Sequence, residues 1–360
     1  MEVVYLALGI ALIALVLWDV FESIVVPRPT HSRVRISRYA IRSSWAAIRA
    51  LGRHRDGTTR DGFLGLFAPA ATLMLLAVWL GVLVVGYGLV FLALHGDLRP
   101  DPHDLGATLY YAATSILTLG SNDTLAVGPA ARAVVVFGAA SGLGVVALVV
   151  TFLFSLYGSY QRREILVVSL QAAAGAPPSA VTLLETYARL ELTDRLPGLF
   201  SEWERWAAEV LDTHVAYPLL GYFRSSHDNL SWISALGTVL DAASLVLTTV
   251  KGLPCGEAEL LRRVGAHLAE DVSHLAGTDR VHRPGLDRAA FDAARVRLAA
   301  AGYRLAPAGR SWREFEAVRS DYAMHLNAMA SYWATPSTSW LGVPVPMRSA
   351  VHREDHQPEN

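Results

Sequence analysis

Cysteine and lysine are almost missing from this sequence of 360 residues. Its single cysteine, Cys255, excludes a framework of disulfide bonds within the chain. Lys251 is the only lysine, so arginine carries nearly all of the positive charge. The formal net charge is −1, which gives no indication of a nucleic-acid partner. Charged residues make up 18% of the chain, against about 25% in ordinary soluble proteins.

The shortage of charge is concentrated in three stretches, residues 1–27, 62–96 and 133–161, whereas residues 162–360 have an ordinary soluble composition. A run of about 20 apolar residues is long enough to cross the hydrocarbon core of a bilayer. We therefore expect membrane spans at about 3–26, 63–94 and 132–160. The first apolar run lacks the basic start and the small-residue cleavage site of a secretory signal, which indicates a retained span.

Arginine in the connecting segments predicts the orientation of these spans. The linker 28–61 contains nine arginines, and Arg162 and Arg163 follow the third span. Because basic loops stay on the cytoplasmic side, we expect a multi-pass protein of the plasma (cell inner) membrane with its N-terminus outside. The segment between the second and third spans then enters and leaves the bilayer from the outer face. Helical spacing of apolar residues in the linker also predicts a basic amphipathic helix on the membrane surface.

The segment between these two spans combines a short amphipathic stretch with the sequence Thr-Leu-Gly-Ser-Asn-Asp at 118–123. Non-helical backbone at membrane depth is tolerated where it is buried in protein or lines a water-filled path. We expect a re-entrant helix and loop at 104–123, whose carbonyl oxygens can replace the hydration shell of an ion. Four acidic residues crowd the outer side and would concentrate cations: Asp97, Asp101, Asp104 and Asp123.

Residues 63–160 resemble the two-span pore module of the potassium channel superfamily, whose filter pattern is Thr-x-x-Thr-x-Gly-Tyr-Gly-Asp. Thr114, Thr118, Gly120 and Asp123 match this pattern. The resemblance implies an ion-conducting filter, a pair of supporting residues and a hinge in the third span. The implied filter residues are Thr118, Leu119, Gly120, Ser121 and Asn122, the supports are Thr114 and Asp123, and the hinge glycines are Gly138, Gly142 and Gly144.

Two filter positions depart from the family pattern, since Ser121 stands for the aromatic residue and Asn122 for the second glycine. Asparagine tolerates positive φ better than most residues, so the backbone path can survive. The aromatic cuff that braces the family's filter is missing, so the resemblance supports a cation channel more firmly than a potassium-selective one. It further implies K⁺ as the permeant ion, membrane lipid as surroundings and a homotetramer, because four loops are needed around one pore.

The alternative interpretation is a non-conducting, channel-like scaffold or ligand sensor that acts through its soluble region, and the two departures motivate it. A third interpretation is a membrane-anchored enzyme carried by residues 164–335. The sequence has no phosphate-binding loop, no Gly-x-Ser-x-Gly motif and no cysteine-based site, so we expect no catalytic residues, no cofactor and no metal. His and Asp cluster around His214 and His227, but their spacing matches no specific ligand set.

Residues 163–335 show apolar positions at helical spacing and predict a helical cytoplasmic domain, which leaves room for an unknown cytoplasmic ligand. Segment 230–250 is apolar but contains Asp241, so it is either a buried helix of that domain or a fourth span. Asp19 and Glu22 either meet the linker arginines or a cation, or lie at the inner membrane interface. Residues 336–360 are rich in proline, serine and charge, which predicts disorder.

The sequence as a whole predicts an all-α membrane protein with three transmembrane helices, a re-entrant pore helix with its filter, and a helical cytoplasmic domain. We expect five consecutive parts: the first span at 1–27, the basic linker at 28–61, the two-span pore module at 62–162, the cytoplasmic domain at 163–335 and a disordered tail at 336–360.

Overall fold

A computed structural model describes residues 1–26, 36–54, 57–102, 104–120, 123–225, 227, 230–278, 287–335 and 340–342. The protein is an all-α membrane protein with a helical C-terminal region, as predicted. Three helical segments are long and apolar enough to cross a membrane, namely Glu2–Val25, Thr59–Ala93 and Pro129–Ala174. The chain divides into two compact units. Unit 1 contains Met1–Gln161 and Thr213–Arg224, and unit 2 contains Arg162–Asp212 and Ser225–Asn360.

Unit 1 is built mainly from helices. In chain order these are α1 (Glu2–Val20, continued as a π-helix at Phe21–Val25), α2 (Ile36–Leu51, continued as a 3₁₀ turn at Gly52–His54), α3 (Gly57–Gly65), α4 (Phe67–Ala93), α5 (Leu105–Ile116) and α6 (Pro129–Ala174), which belongs to this unit up to Gln161.

Small residues let the helices of unit 1 approach closely. A Cβ atom added to Gly9 of α1 would lie 2.6 Å from the Gly86 carbonyl oxygen of α4. One added to Gly88 would lie 2.7 Å from the Leu109 side chain of α5. Such contacts between backbones are typical of membrane helices, where packing replaces the hydrophobic driving force. Phe91 and Tyr111 add an edge-to-face ring contact between α4 and α5 at 4.8 Å.

One two-residue strand precedes α5, and a second follows the loop after α5. Strand β1 (Leu98–Arg99) pairs antiparallel with β2 (Leu125–Ala126). The Asp97 carbonyl accepts hydrogen bonds from the amides of Val127 (2.9 Å) and Gly128 (3.2 Å) and continues the connection. Strands this short leave no periodic signal in the sequence, so this pairing was not predicted. It joins the chain before α5 to the chain before α6.

Asp19 and Glu22, at the C-terminal end of the first span, are buried within the chain, and their position at the membrane interface stays a prediction. Asp19 is only 1% exposed. Its carboxylate accepts hydrogen bonds from the indole Nε1 of Trp79 (2.7 Å), the Ser37 amide (3.1 Å) and the Ser37 hydroxyl (3.1 Å). Asp19 therefore connects α1 to α4 and to the first turn of α2 by hydrogen bonds to a serine and a tryptophan.

Unit 2 contains the remaining helices. These are α7 (Ala180–Arg189), α8 (Leu196–Ala216, which belongs to this unit up to Asp212), α9 (Trp232–Thr248), α10 (Gly256–Ala276), α11 (Arg288–Ala300) and α12 (Ala308–Tyr332).

Helix α9 is the centre of unit 2, packed against α7, α10 and α12 and buried along nearly its whole length. Of the two interpretations of segment 230–250, the structure therefore shows the buried helix. Its Asp241 is fully buried and accepts hydrogen bonds from the Arg319 Nε (3.0 Å) and the Tyr322 hydroxyl (2.6 Å). Burial raises the pKa of the Asp241 carboxyl, while the Arg319 guanidinium acts in the opposite direction.

The predicted disorder of 336–360 is wrong at residues 340–342. Trp340 and Leu341 are buried, and the amide of Ala180 donates to the Trp340 carbonyl at 2.7 Å. The Ser179 hydroxyl and Arg297 donate to the next two carbonyls, each at 2.9 Å. Composition averaged over the tail hid this short apolar anchor. The rest of the predicted tail, 336–339 and 343–360, lies outside the described residues.

Candidate functional site

The candidate site begins at α5, the predicted pore helix. Asp104 precedes it in extended conformation, and its Oδ1 accepts a hydrogen bond from the Ala107 amide at 2.7 Å, which satisfies one of the open donors of the first turn. At the other end Thr114 is buried, and its hydroxyl donates to the Tyr111 carbonyl at 3.0 Å. Asp104, one of the four outer acids, thus caps the helix, and the Thr114 hydroxyl bonds within its own helical turn.

Helix α5 ends in a Schellman motif. The Leu119 amide donates to the Thr114 carbonyl (2.8 Å), and the Thr118 amide donates to the Ser115 carbonyl (3.1 Å). This arrangement puts Thr118 in the left-handed region, with φ of +55°. Glycine normally occupies this position, and a β-branched residue there is strained. Residues held in such conformations cluster at functional sites.

The backbone alternates in sign through the described part of the predicted filter. Thr118 and Gly120 have φ of +55° and +76°, whereas Leu119 between them is not in the positive-φ region. Two left-handed residues so close together exclude a regular strand here, in which every residue has negative φ. Ser121 and Asn122 lie outside the described residues, so this geometry concerns the inner half of the filter.

The loop that follows α5 is exposed in the single chain, although the helix that carries it is packed. Leu117, Thr118 and Gly120 are exposed, and Leu119 is 73% exposed. A Cβ atom added to Gly120 would meet nothing within 4 Å. In contrast, Ile116 at the end of α5 is 2% exposed. The packed helix α5 therefore fixes the start of this loop, while the side chains of the loop itself are exposed in the single chain.

The three glycines of α6 have different surroundings. A Cβ atom on Gly142 would lie 2.2 Å from the Ile116 carbonyl oxygen, so only glycine fits there. At Gly138 the nearest atoms belong to Tyr87, at 3.6 Å, and at Gly144 there is nothing within 4 Å. Helix α6 is continuous through all three. Gly142 thus brings α6 against the end of the pore helix, and the proposed hinge stays a prediction.

The remaining outer acids also have identifiable neighbours. His95 lies 3.1 Å from the Asp101 carboxylate and 3.3 Å from that of Glu2. Its hydrogen bonds to Glu2 and Asp101 raise the pKa of His95 above its usual range. The Asp97 carboxyl lies so close to Gly128 that a Cβ atom there would be 2.0 Å from its carbon. Asp123 is described and exposed, and its predicted support of the filter stays a prediction.

The histidine and aspartate clusters of the C-terminal region are only partly described. Among the described residues, no group of three or more His, Cys, Asp and Glu side chains could hold a metal ion. His214 is buried, and Asp228 and Asn229 of the second cluster lie outside the described residues. Cys255 is a free, exposed thiol.

Residues 70–158 match a family model described as "Ion channel". This part of the chain is similar to an ion-channel module. The match covers about a quarter of the sequence and contains α5, the exposed loop and most of α4 and α6. Neither the curated proteins nor the solved structures contain a significant match to the chain. The match and the three apolar helices indicate a membrane-embedded protein.

Sequence reasoning missed three features of the channel module. It did not predict the left-handed Thr118, the strand pair around the loop, or the contact of Gly142 with Ile116. The left-handed conformation of Thr118 had a partial signal in the sequence, because Thr-Leu-Gly directly follows a helical stretch and a helix often ends in a left-handed residue. The other two depend on which residues face each other in three dimensions, and periodicity along one chain does not report that.

Proposed function

We propose that the protein is a cation channel, potassium-conducting, in which residues 118–122 of four identical chains form the filter. The observation that carries this proposal is the exposed loop after α5, with positive φ at Thr118 and Gly120. It lies inside the matched channel module, between two helices long enough to span a bilayer. The carbonyl oxygens of an exposed, non-helical loop between two spans can replace the hydration shell of an ion.

Assembly into a homotetramer follows from the single pore helix of each chain. One loop supplies one wall of a filter, and four are needed to surround an ion. The exposed surface of the third span supports this assembly. Only 22% of an apolar stretch of 18 residues in that span is buried within the chain, and large apolar side chains such as Phe137 and Phe154 are exposed. Lipid and neighbouring subunits would cover them.

The proposed orientation places the N-terminus outside and unit 2 in the cytoplasm of a plasma (cell inner) membrane protein. Arginines between the first two spans and after the third support it. In this orientation α5 points its C-terminal end toward the membrane centre, where the helix dipole favours a cation. Selectivity for potassium over sodium depends on the outer half of the filter, where Ser121 and Asn122 replace the aromatic residue and the glycine of the family pattern.

Ion flux into liposomes that contain the purified full chain tests the proposal, with potassium and sodium gradients measured separately. We expect potassium flux in the wild type and its loss in Gly120→Val, because any side chain at φ of +76° strains the filter backbone. The matched control is Gly81→Ala, at a glycine of α4 with nothing within 4 Å. Chemical cross-linking would show whether each variant remains a tetramer.

The outcomes separate the candidates. Potassium flux without sodium flux indicates a selective filter, and equal fluxes indicate a non-selective cation pore. Flux that is unchanged in Gly120→Val would overturn the assignment of the filter. A tetramer without flux under any condition would favour the scaffold or sensor, the interpretation motivated by Ser121 and Asn122.

A further inference from the structure

One segment from the C-terminal half of the chain belongs to unit 1, which contains the three apolar helices. Thr213–Arg224 is part of unit 1, whereas the chain on both sides of it, Arg162–Asp212 and Ser225 onward, belongs to unit 2. The segment contains the last turn of α8 and a 3₁₀ helix at Pro218–Tyr222. Four of its apolar side chains are buried, namely Leu219, Leu220, Tyr222 and Phe223, with Leu220 only 1% exposed. We call Thr213–Arg224 the coupling segment.

One side of the coupling segment contacts the linker and the beginning of α4. The Tyr222 ring lies 5.2 Å from the Trp45 ring of α2 and 5.2 Å from the Phe67 ring of α4. Trp45 and Phe67 also contact each other at 5.0 Å, so the three rings form a closed triangle. Arg224 adds an ion pair between its Nη1 and Asp61 Oδ1 at 2.5 Å. Aromatic contacts and a half-buried ion pair hold this side in a defined geometry.

The other side of the coupling segment contacts one stretch of α6, residues 152–160. Phe223 packs against Tyr157 at 5.6 Å and Tyr160 at 5.4 Å. Tyr217 packs edge-on against Phe152 at 5.6 Å. The Tyr160 hydroxyl donates to the Arg224 carbonyl at 3.1 Å. These four contacts fall within nine residues of α6, ten or more positions beyond Gly142, the residue that meets the end of α5.

We propose that the coupling segment transmits the conformation of unit 2 to the inner end of the third span and so controls conduction. This inference rests on the proposed channel function. The segment joins α6 to α2, α3 and α4, and both of its ends continue covalently into unit 2. A ligand or a partner that rearranges unit 2 would therefore displace the coupling segment. The displaced residues are packed against residues 152–160 of α6. Packed aromatic contacts switch between discrete arrangements, which suits a coupling element.

The test replaces Phe223 with alanine in the full chain and uses two measurements. Hydrogen exchange reports the protection of the backbone amides at 152–160, and liposome flux reports conduction. We expect exchange at 152–160 to rise about tenfold and potassium flux to change at least fivefold, while the ratio of potassium to sodium flux stays at the wild-type value. The aromatic variant Phe223→Tyr keeps the ring contacts and should restore both readouts.

Ser155→Ala is the matched control, because Ser155 lies in the same stretch of α6 and its hydroxyl donates to a carbonyl of its own helix, Thr151 at 3.2 Å, and it should change neither readout. If Phe223→Ala raises exchange but leaves flux at the wild-type value, the segment is only a structural support and the inference is wrong. Unchanged exchange would also overturn it, because the segment would then not hold α6. Absence of flux in the wild type would contradict the proposed channel function, whereas the exchange measurement would still decide whether the segment restrains α6.

Discussion

The two units of the protein distribute apolar side chains in opposite ways. In unit 1, large apolar residues such as Leu119, Phe137 and Phe154 are exposed. In the first and third spans, only 22% of an apolar stretch of 18 residues is buried within the chain. In unit 2, helix α9 is comparably apolar but is buried along nearly its whole length. Apolar composition therefore identifies both a membrane span and a protein core, and burial within the chain separates them.

Buried polar groups show a second contrast between the units. In unit 1, Asp19 accepts hydrogen bonds from neutral donors, a tryptophan and a serine. In unit 2, Asp241 pairs with a guanidinium and a tyrosine hydroxyl. A buried charge is costly unless it is paired, so both carboxylates fix the helices that contact them. The contribution of each carboxylate to stability can be measured by removing one partner. Loss of the ion pair of Asp241 should destabilise the protein more than loss of a neutral donor to Asp19.

The largest expected effect is at Asp241. Replacing it with alanine leaves the Arg319 guanidinium, which is 12% exposed, without its carboxylate. Breaking a buried ion pair on one side typically costs about 3–5 kcal/mol. We expect the midpoint temperature of the full chain, followed by tryptophan fluorescence, to fall strongly. Asp321→Ala is the control, because Asp321 pairs with Arg262 at the surface, and it should cost less than about 1 kcal/mol. Equal effects would show that burial at Asp241 adds nothing.

The next effect compares two glycines of the same membrane helix. In Gly142→Ala the new Cβ atom meets the Ile116 carbonyl oxygen at 2.2 Å, so α5 must move, at a cost of about 1–3 kcal/mol. In Gly144→Ala there is open space, and alanine should stabilise the helix by up to about 1 kcal/mol. Thermal unfolding in detergent should give shifts of opposite sign, and only Gly142→Ala should reduce flux. Loss of flux in Gly144→Ala with its fold intact would instead support the hinge.

Prediction from sequence worked where a property adds up over many residues. The three spans follow from apolar runs of more than 20 residues, since no single contact decides them. The start of the pore helix was also accessible, because Asp104 is a typical capping residue before a helical stretch. The roles of Thr118, Gly120 and Asp123 in the filter came from a resemblance and stay predictions.

Prediction failed where tertiary partners decide the outcome. The hydrogen bonds of Asp19 were not predicted, because their donors Ser37 and Trp79 are 18 and 60 residues away in the sequence. Trp340 was assigned to a disordered tail, although a Cβ atom on Gly237 would lie within 2.5 Å of its ring. The coupling segment carries no motif either. In each case the residues are stabilised by tertiary contacts, which the order of residues along the chain does not reveal.

A smaller effect is expected at Ser37, which gives Asp19 two of its three hydrogen bonds. Ser37→Ala removes the hydroxyl donor and leaves one oxygen of a buried carboxylate with fewer bonds, at a cost of about 1–2 kcal/mol. Ser43→Ala is the matched control on the same helix, because the Ser43 hydroxyl is exposed and donates only to carbonyls of its own helix, Tyr39 at 2.8 Å and Ala40 at 3.2 Å. Its midpoint temperature should stay at the wild-type value. If both variants behave alike, the Ser37 hydroxyl adds nothing to the connection between α1 and α2.

The smallest expected effect is at the surface of unit 2, where Glu259 lies in the first turn of α10. Hydrogen bonds from Arg262 (2.8 and 2.9 Å) and Arg263 (2.7 Å) lower the pKa of Glu259 to about 2 from its usual 4.5. A lowered folded-state pKa stabilises the fold above about pH 4.5, and this contribution is lost as the pH falls toward 2. Because the carboxylate is partly solvated, the contribution should stay below about 1 kcal/mol.

Midpoint temperatures of the wild type and Glu259→Gln, measured from pH 2 to pH 7, test this sign. The wild type should be slightly more stable at pH 7, and the two curves should converge between pH 4.5 and pH 2 as the wild-type carboxylate is protonated. Added salt should shrink the difference at pH 7, because a solvated ion pair is screened, whereas the large effect at buried Asp241 should persist. A difference that is independent of both pH and salt would mean that Glu259 acts through packing, and the contrast between surface and buried charge in unit 2 would fail.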